Sequence, residues 1–409
     1  MVAAKYGISG ELGEITTRTH RVVSGGKTAH NTASDFFEAT VSRERFKSCN
    51  FMELMLDSAR DTSVRVATSR LNRIRRETVG IKETTYRNTI EREGLAMQKS
   101  MEQKCESALE AGGFVCNDGV YENPDFKPIK ARCRQQSVIE KAAKKLNIKN
   151  YNPDDYELPC DTVNISVDDV GVKRQSEMRP KDEDSQQPKR VENTIIHVGH
   201  RKDSYIINAD SVLLAFKQLI GFLLINGLLR KRIVVFVDGA RSLNSAILKM
   251  LSFTNYKVIL DWYHLQKKCR EQLSMALKGS KIRNEFLDKE LLPCLWFGNV
   301  NGAIKSLKNI DPKKVKNQEY ITKLIEYFER VRGIIPNYAL RKELKLRNSS
   351  GIGEKSNDLV VSNRQKHNGM SWSDSGSFAF ATVAAASCNG EIMQWIFKRD
   401  IDFCLQKVA

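Results

Sequence analysis

The stretch Ile233-Val-Val-Phe-Val-Asp238-Gly239 is apolar at every position from 233 to 237 and then meets a carboxylate. An unbroken apolar run of this length is the pattern of a central strand covered on both faces. Upstream, Val163-Asn-Ile-Ser-Val-Asp168 alternates apolar with polar residues. That period of two is a half-buried strand, and it places Asp168 on the polar face with Asn164 and Ser166. Downstream, Glu354 opens a helix expected after the loop Asn348-Ser-Ser-Gly-Ile-Gly353. Two carboxylates at strand ends and a third on a later helix can converge on one point. Held together without cationic partners they repel one another, so the arrangement makes chemical sense with divalent cations between them. A pair of hard cations about 4 Å apart is the usual clamp for in-line phosphoryl transfer.

Between Asp168 and Asp238, Thr194-Ile-Ile-His-Val198 and Tyr205-Ile-Ile-Asn208 read as short strands. A helix is expected from an N-cap at Ser211 to about Leu229, a second over 241–251, and a buried strand at Lys257-Val-Ile-Leu-Asp261. The order is three strands, helix, strand, helix, strand. Residues 262–345 read as a long helical segment, and 305–347 hold 12 basic against 5 acidic side chains. Residues 377–388 are small and apolar and predict a buried closing helix, while polar 173–192, with two prolines, predicts a long exposed hairpin loop.

The first fifty residues are rich in Gly, Ser, Thr and charge and carry only a weak pattern. Residues 51–99 read as helical, with a turn at Thr78-Val-Gly80. That succession is compatible with a helix-turn-helix whose last helix offers Lys82, Thr85, Tyr86 and Arg87 to a DNA groove. It is equally compatible with a helical hairpin bearing a solvated basic face. A basic helix is expected over 133–150, closed by the turn Tyr151-Asn-Pro-Asp-Asp155, which marks a domain boundary.

A chain of 409 residues has length for two or three cores, and its net charge of +17 implies a polyanionic partner. The 9 cysteines are scattered, with no Cys-x-x-Cys pair, which predicts reduced thiols rather than a disulfide framework or a zinc site. No secretory signal is expected at the start. The most apolar stretch, 212–229, is interrupted by Lys217, Gln218 and Asn226, and reads as a buried helix rather than a membrane span.

The blocks Phe236-Val-Asp-Gly-Ala240, Leu260-Asp-Trp-Tyr-His-Leu265 and Glu354-Lys-Ser-Asn357, continuing through Asn363-Arg-Gln-Lys-His-Asn-Gly-Met-Ser-Trp-Ser373, resemble the signature blocks of DDE transposases of bacterial insertion sequences. They are most similar to the mutator-like superfamily, and the likeness runs from about residue 160 to the end of the sequence. The resemblance implies an α/β fold: a ribonuclease-H-like mixed sheet with helices on both faces, an all-helical insertion before the last catalytic helix, and an N-terminal helical domain. The corresponding segments are a weakly patterned 1–50, a DNA-binding 51–150, core at 160–261, insertion at 262–345 and returning core at 346–409. Carried over by position, Asp168, Asp238 and Glu354 are the catalytic carboxylates and ligands of Mg²⁺ or Mn²⁺, two ions in all.

Asp169 stands where the family often has glycine and is an alternative first acid. Asp358, one helical turn after Glu354, is an alternative third. Asp261 and His264 form an Asp-x-x-His pair counted with the active region. Either the carboxylate orients the imidazole, or Asp261 caps the helix beginning at Trp262 and His264 packs against it. Lys267, Lys268, Arg364 and Lys366, with His367, are expected to hold DNA, and Trp372 either stacks on a base or belongs to the core. The implied activity is metal-dependent cleavage at transposon ends and strand transfer into target DNA. Double-stranded DNA is the implied partner, the protein being homo-oligomeric when bound to it, cytoplasmic and nucleoid-associated in a bacterium. A nuclease of the same fold that does not join strands, and a domesticated DNA-binding protein, are the alternatives.

Overall fold

A strand apolar on both faces is stable only between two covering layers, and in the computed structural model of this chain such a strand lies inside a mixed sheet. The structure describes residues 2–10, 13–24, 27–31, 46–75, 80–128, 132–175, 189–366 and 370–407. In chain order come β1 (Val2–Gly10), β2 (Gly13–Ser24), β3 (Lys27–Asn31) and β4 (Phe46–Lys47), then α1 (Cys49–Asp61), α2 (Val64–Arg75) and α3 (Glu83–Ala111). The hairpin β5 (Val115–Asn117) and β6 (Val120–Glu122) leads to α4 (Gln136–Lys145), β7 (Thr162–Lys173), β8 (Arg190–His200) and β9 (Asp203–Ala209). Next are α5 (Val212–Ile225), β10 (Arg232–Val237), α6 (Arg241–Leu251) and β11 (Tyr256–Leu260).

A helical run follows: α7 (Trp262–Ala276), α8 (Ser280–Phe286), α9 (Leu292–Trp296), α10 (Val300–Lys308), α11 (Gln318–Val331) and α12 (Tyr338–Glu343). Last come α13 (Gly351–Asn357), α14 (Asn363–Gln365), α15 (Asp374–Cys388), α16 (Ile392–Lys398) and the two-residue β12 (Gln406–Lys407). The central sheet has the order β11-β10-β7-β8-β9-β12. Strand β10 runs parallel to both β7 and β11, whereas β8 and β9 are antiparallel. Phe236 pairs with Ser166. Asp238 and Asp168 each lie two residues beyond that pair, so the side-chain period of two brings both carboxylates level and onto one face.

The chain divides into two compact units: 1–103 with 170–193 and 358–403, and 104–169 with 194–357 and 404–409. In the second, the helical run builds a core that includes Val234 and Phe236 of β10 and Ile259 and Leu260 of β11. The helical run therefore packs on the sheet. Trp262 at its start stands 4.9 Å from Tyr338 near its end, and the Tyr338 hydroxyl donates to the Leu260 carbonyl at 2.7 Å. Behind this lies Arg341, fully buried, whose guanidinium grips Glu157 with both arms at 2.6 and 2.9 Å and donates to the Arg347 carbonyl at 2.9 Å. Burial works against ionisation of Glu157, but the Arg341 charge outweighs it and holds the carboxyl below its ordinary range.

In the first unit, α1 packs against α15 and α16. Gly94 on α3 allows that helix to approach α15 closely, since a Cβ on it would lie 2.3 Å from the Ala379 carbonyl oxygen. The buried Glu93 accepts from Trp395 Nε1 at 2.9 Å and pairs with Arg399.

Several expectations need correction. Where only a weak pattern was expected, the described residues up to 47 are strands of a four-stranded sheet ordered β3-β2-β1-β4, and α1 begins at Cys49. Tyr86 is fully buried, its hydroxyl donating to the Met55 carbonyl at 3.0 Å, so α3 exposes Thr85 and Arg87 without it, and Lys82 lies exposed just before the helix. Helix α5 stops at Ile225 because Asn226 caps it and Gly227 takes φ +63°. The buried helix α15 is followed by α16 and does not close the chain. Most of the expected hairpin loop, and Thr78 and Val79 of the expected turn, lie outside the described residues.

Removing one member of a buried ion pair strands the other charge, at a cost of about 3–5 kcal/mol. Glu157→Ala is therefore expected to lower the urea midpoint sharply. Because the folded carboxyl titrates below its unfolded value, this pair's contribution is present above the unfolded pKa and is lost as pH falls through the folded one. The difference between wild type and Glu157→Ala should accordingly shrink in acid, which unfolding curves at neutral and low pH will measure.

Candidate active site

Asp168 on β7, Asp238 after β10 and Glu354 in the first turn of α13 line a single cavity of about 10 Å³. The space is that of one water- or ion-sized occupant. His264, His197, Ser350, Gly353 and Asn357 complete its polar wall, with Phe236 and Val237 among its apolar side. All belong to the second unit.

Each carboxylate is held by local structure. Asp238 accepts from the Ala240 backbone N–H at 2.7 Å across a turn whose Gly239 has φ +88°, and a Cβ on Gly239 would lie 3.0 Å from the Tyr327 hydroxyl. Only glycine suits that position. The Gly239 carbonyl accepts from Arg330 of α11 at 3.0 Å, so α11 braces the turn. Asp168 accepts a short hydrogen bond from the Asn357 side-chain amide. Glu354 Oε1 lies 3.1 Å from His264 Nε2.

Asp261 is almost wholly buried. One oxygen accepts from the backbone N–H groups of Tyr263 and His264 at 2.7 and 3.2 Å, and the other from the Ser350 hydroxyl at 2.6 Å and the Ser350 N–H. The carboxylate thus caps α7 through the His264 backbone rather than orienting its imidazole, which faces Glu354 instead. It also ties down the loop that enters α13. That helix runs tight against β7, because a Cβ on Gly353 would fall 2.6 Å from the Ser166 Cβ.

The alternative acids lie elsewhere. Asp169 is exposed and accepts from Thr194 Oγ1 at 2.6 Å; Asp358 is exposed at the start of a π-turn over Asp358–Ser362. Asn357, not Asp358, follows Glu354 into the cavity wall. Of the expected DNA contacts, Lys267 and Lys366 are exposed, Lys268 lies over the Tyr327 ring at 5.9 Å, and Arg364 is buried; His367 lies outside the described residues. Sequence reading passed over His197, Ser350 and Asn357. A polar residue inside the apolar run of β8 was the one available signal for His197.

Electrostatics mark the cavity as an acid-crowded place. Burial, then the neighbouring Asp238 charge, pushes the Asp168 carboxyl up to about 6 from its ordinary 3.8. Burial and the nearby Arg347 push His197 down to about 4, so its imidazole is neutral at pH 7. Among the described residues no three His, Cys, Asp or Glu side chains stand close enough to grip a metal ion as they are placed. Neither a protein-family model nor a curated protein matches the chain.

Two outcomes follow from this geometry. The raised Asp168 pKa costs nothing below the unfolded value of 3.8 and is fully felt above about 6, where the shift amounts to roughly 3 kcal/mol. In chelator, Asp168→Asn should therefore melt higher than wild type at pH 7 and alike near pH 4, and Mn²⁺ should raise the melting point of wild type only. Gly353→Ala forces α13 off β7 and should cost about 1–3 kcal/mol in chemical denaturation.

Proposed function

We propose that this protein is a metal-dependent DNA strand-cleaving and strand-joining enzyme of the DDE transposase kind, built on a ribonuclease-H-like core. The observation that carries the reading is the convergence of Asp168, Asp238 and Glu354 on one cavity from β7, β10 and α13. The sheet order β11-β10-β7-β8-β9, with three strands preceding two parallel ones, supports the same reading. So does a helical insertion that leaves after β11 and returns before the third acid.

The donor set suits hard divalent cations: three carboxylates, with Asp168 and Asp238 close enough for one charge to raise the other's pKa. Asp168, Asp238 and Glu354 would hold Mg²⁺ or Mn²⁺, which when bound supplies activation of the attacking oxygen and neutralisation of the leaving one. Asn357 orients Asp168 and His264 orients Glu354. Asp261, through Ser350, keeps α13 and therefore Glu354 in register with the strand ends. Exposed lysines on α10 and the loop after it offer charge to phosphates in any sequence.

Glu354→Gln keeps size and hydrogen bonding but removes a charge. It is expected to abolish strand cleavage in Mg²⁺ while DNA affinity stays within about twofold of wild type. Retained cleavage would remove Glu354 from the ligand set. A supplied 3′-hydroxyl end separates the reactions: joining to a second duplex is expected, and hydrolysis alone would leave a nuclease. Neutralising Lys305, Lys308, Lys313, Lys314 and Lys316 should weaken binding to all duplexes alike, lowering the salt slope by about one unit per lost phosphate contact.

A further inference from the structure

The first unit contains its own cavity, about 550 Å³ in volume, within the range of sites that enclose a small polar ligand. Its wall is formed by the start of α2, one turn of α3 and the stretch from Met370 into α15. Deep in it lies Arg364, 4% exposed. The guanidinium stands 5.0 Å from the centre of the Trp372 ring and 5.4 Å from that of Phe380. Trp372 is itself pinned: its indole N–H donates to the Gln365 carbonyl at 3.3 Å and its backbone N–H to Lys173 at 2.9 Å. It is a shelf for the arginine and a core residue, not an open platform for a base.

Arg364 lacks what a buried arginine normally has. Among the described residues no carboxylate pairs with it; its Nη1 meets the Met370 sulfur at 3.1 Å and its buried Nε has no hydrogen-bond partner. Burial lowers its pKa, which expresses the same lack of compensation. A buried cation without a counter-charge is strongly unfavourable, so the site is incomplete without an anion.

The surroundings favour one. Arg65 and Arg87 stand exposed on the wall, against a single acid, Glu91, whose carboxyl burial pushes towards the neutral form. The N-terminal end of α2, capped by Ser63, opens here and adds positive potential, whereas that of α15, capped by Ser373, carries Asp374 in its first turn, paired with Arg174.

We propose that this cavity binds a phosphodiester group of an unpaired nucleic-acid strand, with Arg364 gripping two phosphate oxygens and Arg87 and Arg65 meeting the same or the next phosphate. A guanidinium held beside aromatic rings keeps its N–H fork, which matches phosphate oxygens. A recess of this size admits one nucleotide of a bending strand, whereas duplex phosphates ride on a stiff convex surface. The inference rests on the nucleic-acid reading above but uses none of its three carboxylates.

The test is equilibrium binding of the full chain, in chelator, to a labelled single-stranded oligonucleotide and its duplex, over roughly 50–300 mM salt. Arg364→Lys keeps the charge and loses the fork, while Arg87→Gln lies on the exposed wall and leaves the fold intact. Each is expected to weaken single-strand binding about tenfold, with duplex binding less affected. The Arg87→Gln variant should also lower the log–log salt slope by about 0.7. Wild-type affinity in both folded variants would overturn the proposal, as would an equal loss for duplex. Displacement of the oligonucleotide by a mononucleotide at equal nucleotide concentration would overturn it in favour of a free-nucleotide site. Glu354→Gln, assayed separately for cleavage in Mg²⁺, reports on the catalytic reading alone, so failure of that reading and failure of this one are separable.

Discussion

One buried carboxylate joins two parts of the second unit that are far apart in sequence. Asp261 accepts from the backbone where α7 leaves the sheet and from both donors of Ser350 where the chain comes back. A carboxylate this buried is tolerable only with its oxygens occupied, and here the occupants fix the departure and the return of the insertion. His264 follows three residues after the first anchor and Glu354 four after the second, so their 3.1 Å contact follows from the same clamp. The Arg341–Glu157 pair repeats the principle, binding α12 to the segment that enters β7.

Against this rigid frame stands a deliberately uncomfortable pair. Strand register sets Asp168 and Asp238 side by side, and burial leaves little water to screen them, so Asp168 holds its proton well into the mildly acidic range. Clustered like charges in a small recess destabilise the isolated chain, and such local conflict with good folding is what a working site is expected to show. Arg364 in the first unit is the opposite case, a buried cation without its anion. Both are places where the protein alone is electrostatically unfinished.

Much of the architecture was legible from pattern. The apolar run 233–237 and the alternation in 163–168 determined two strands, and their parity chose Asp168 over Asp169, because side chains in a strand alternate whatever the rest of the chain does. Ser211 capped its helix as its side chain dictates, and residues 262–345 proved helical. These are local properties, settled by a few neighbouring residues.

The rest was settled by contacts between segments distant in sequence. Strand β2 carries threonine and charge in place of an apolar face, so that only its pairing with β1, where Val2, Ala4, Tyr6 and Ile8 alternate, makes it a strand, and Tyr86, polar at its tip, is buried because Met55 offers its carbonyl. His197, Ser350 and Asn357 enter the cavity by strand register, by the Asp261 clamp and by helix phase. The role of Asp261 itself was ambiguous until its second oxygen found Ser350, 89 residues away. Sequence determined which elements form and which faces they bury, since backbone periodicity is short-ranged; packing decided which polar groups meet, since a hydrogen bond has no memory of how far apart its partners lie along the chain.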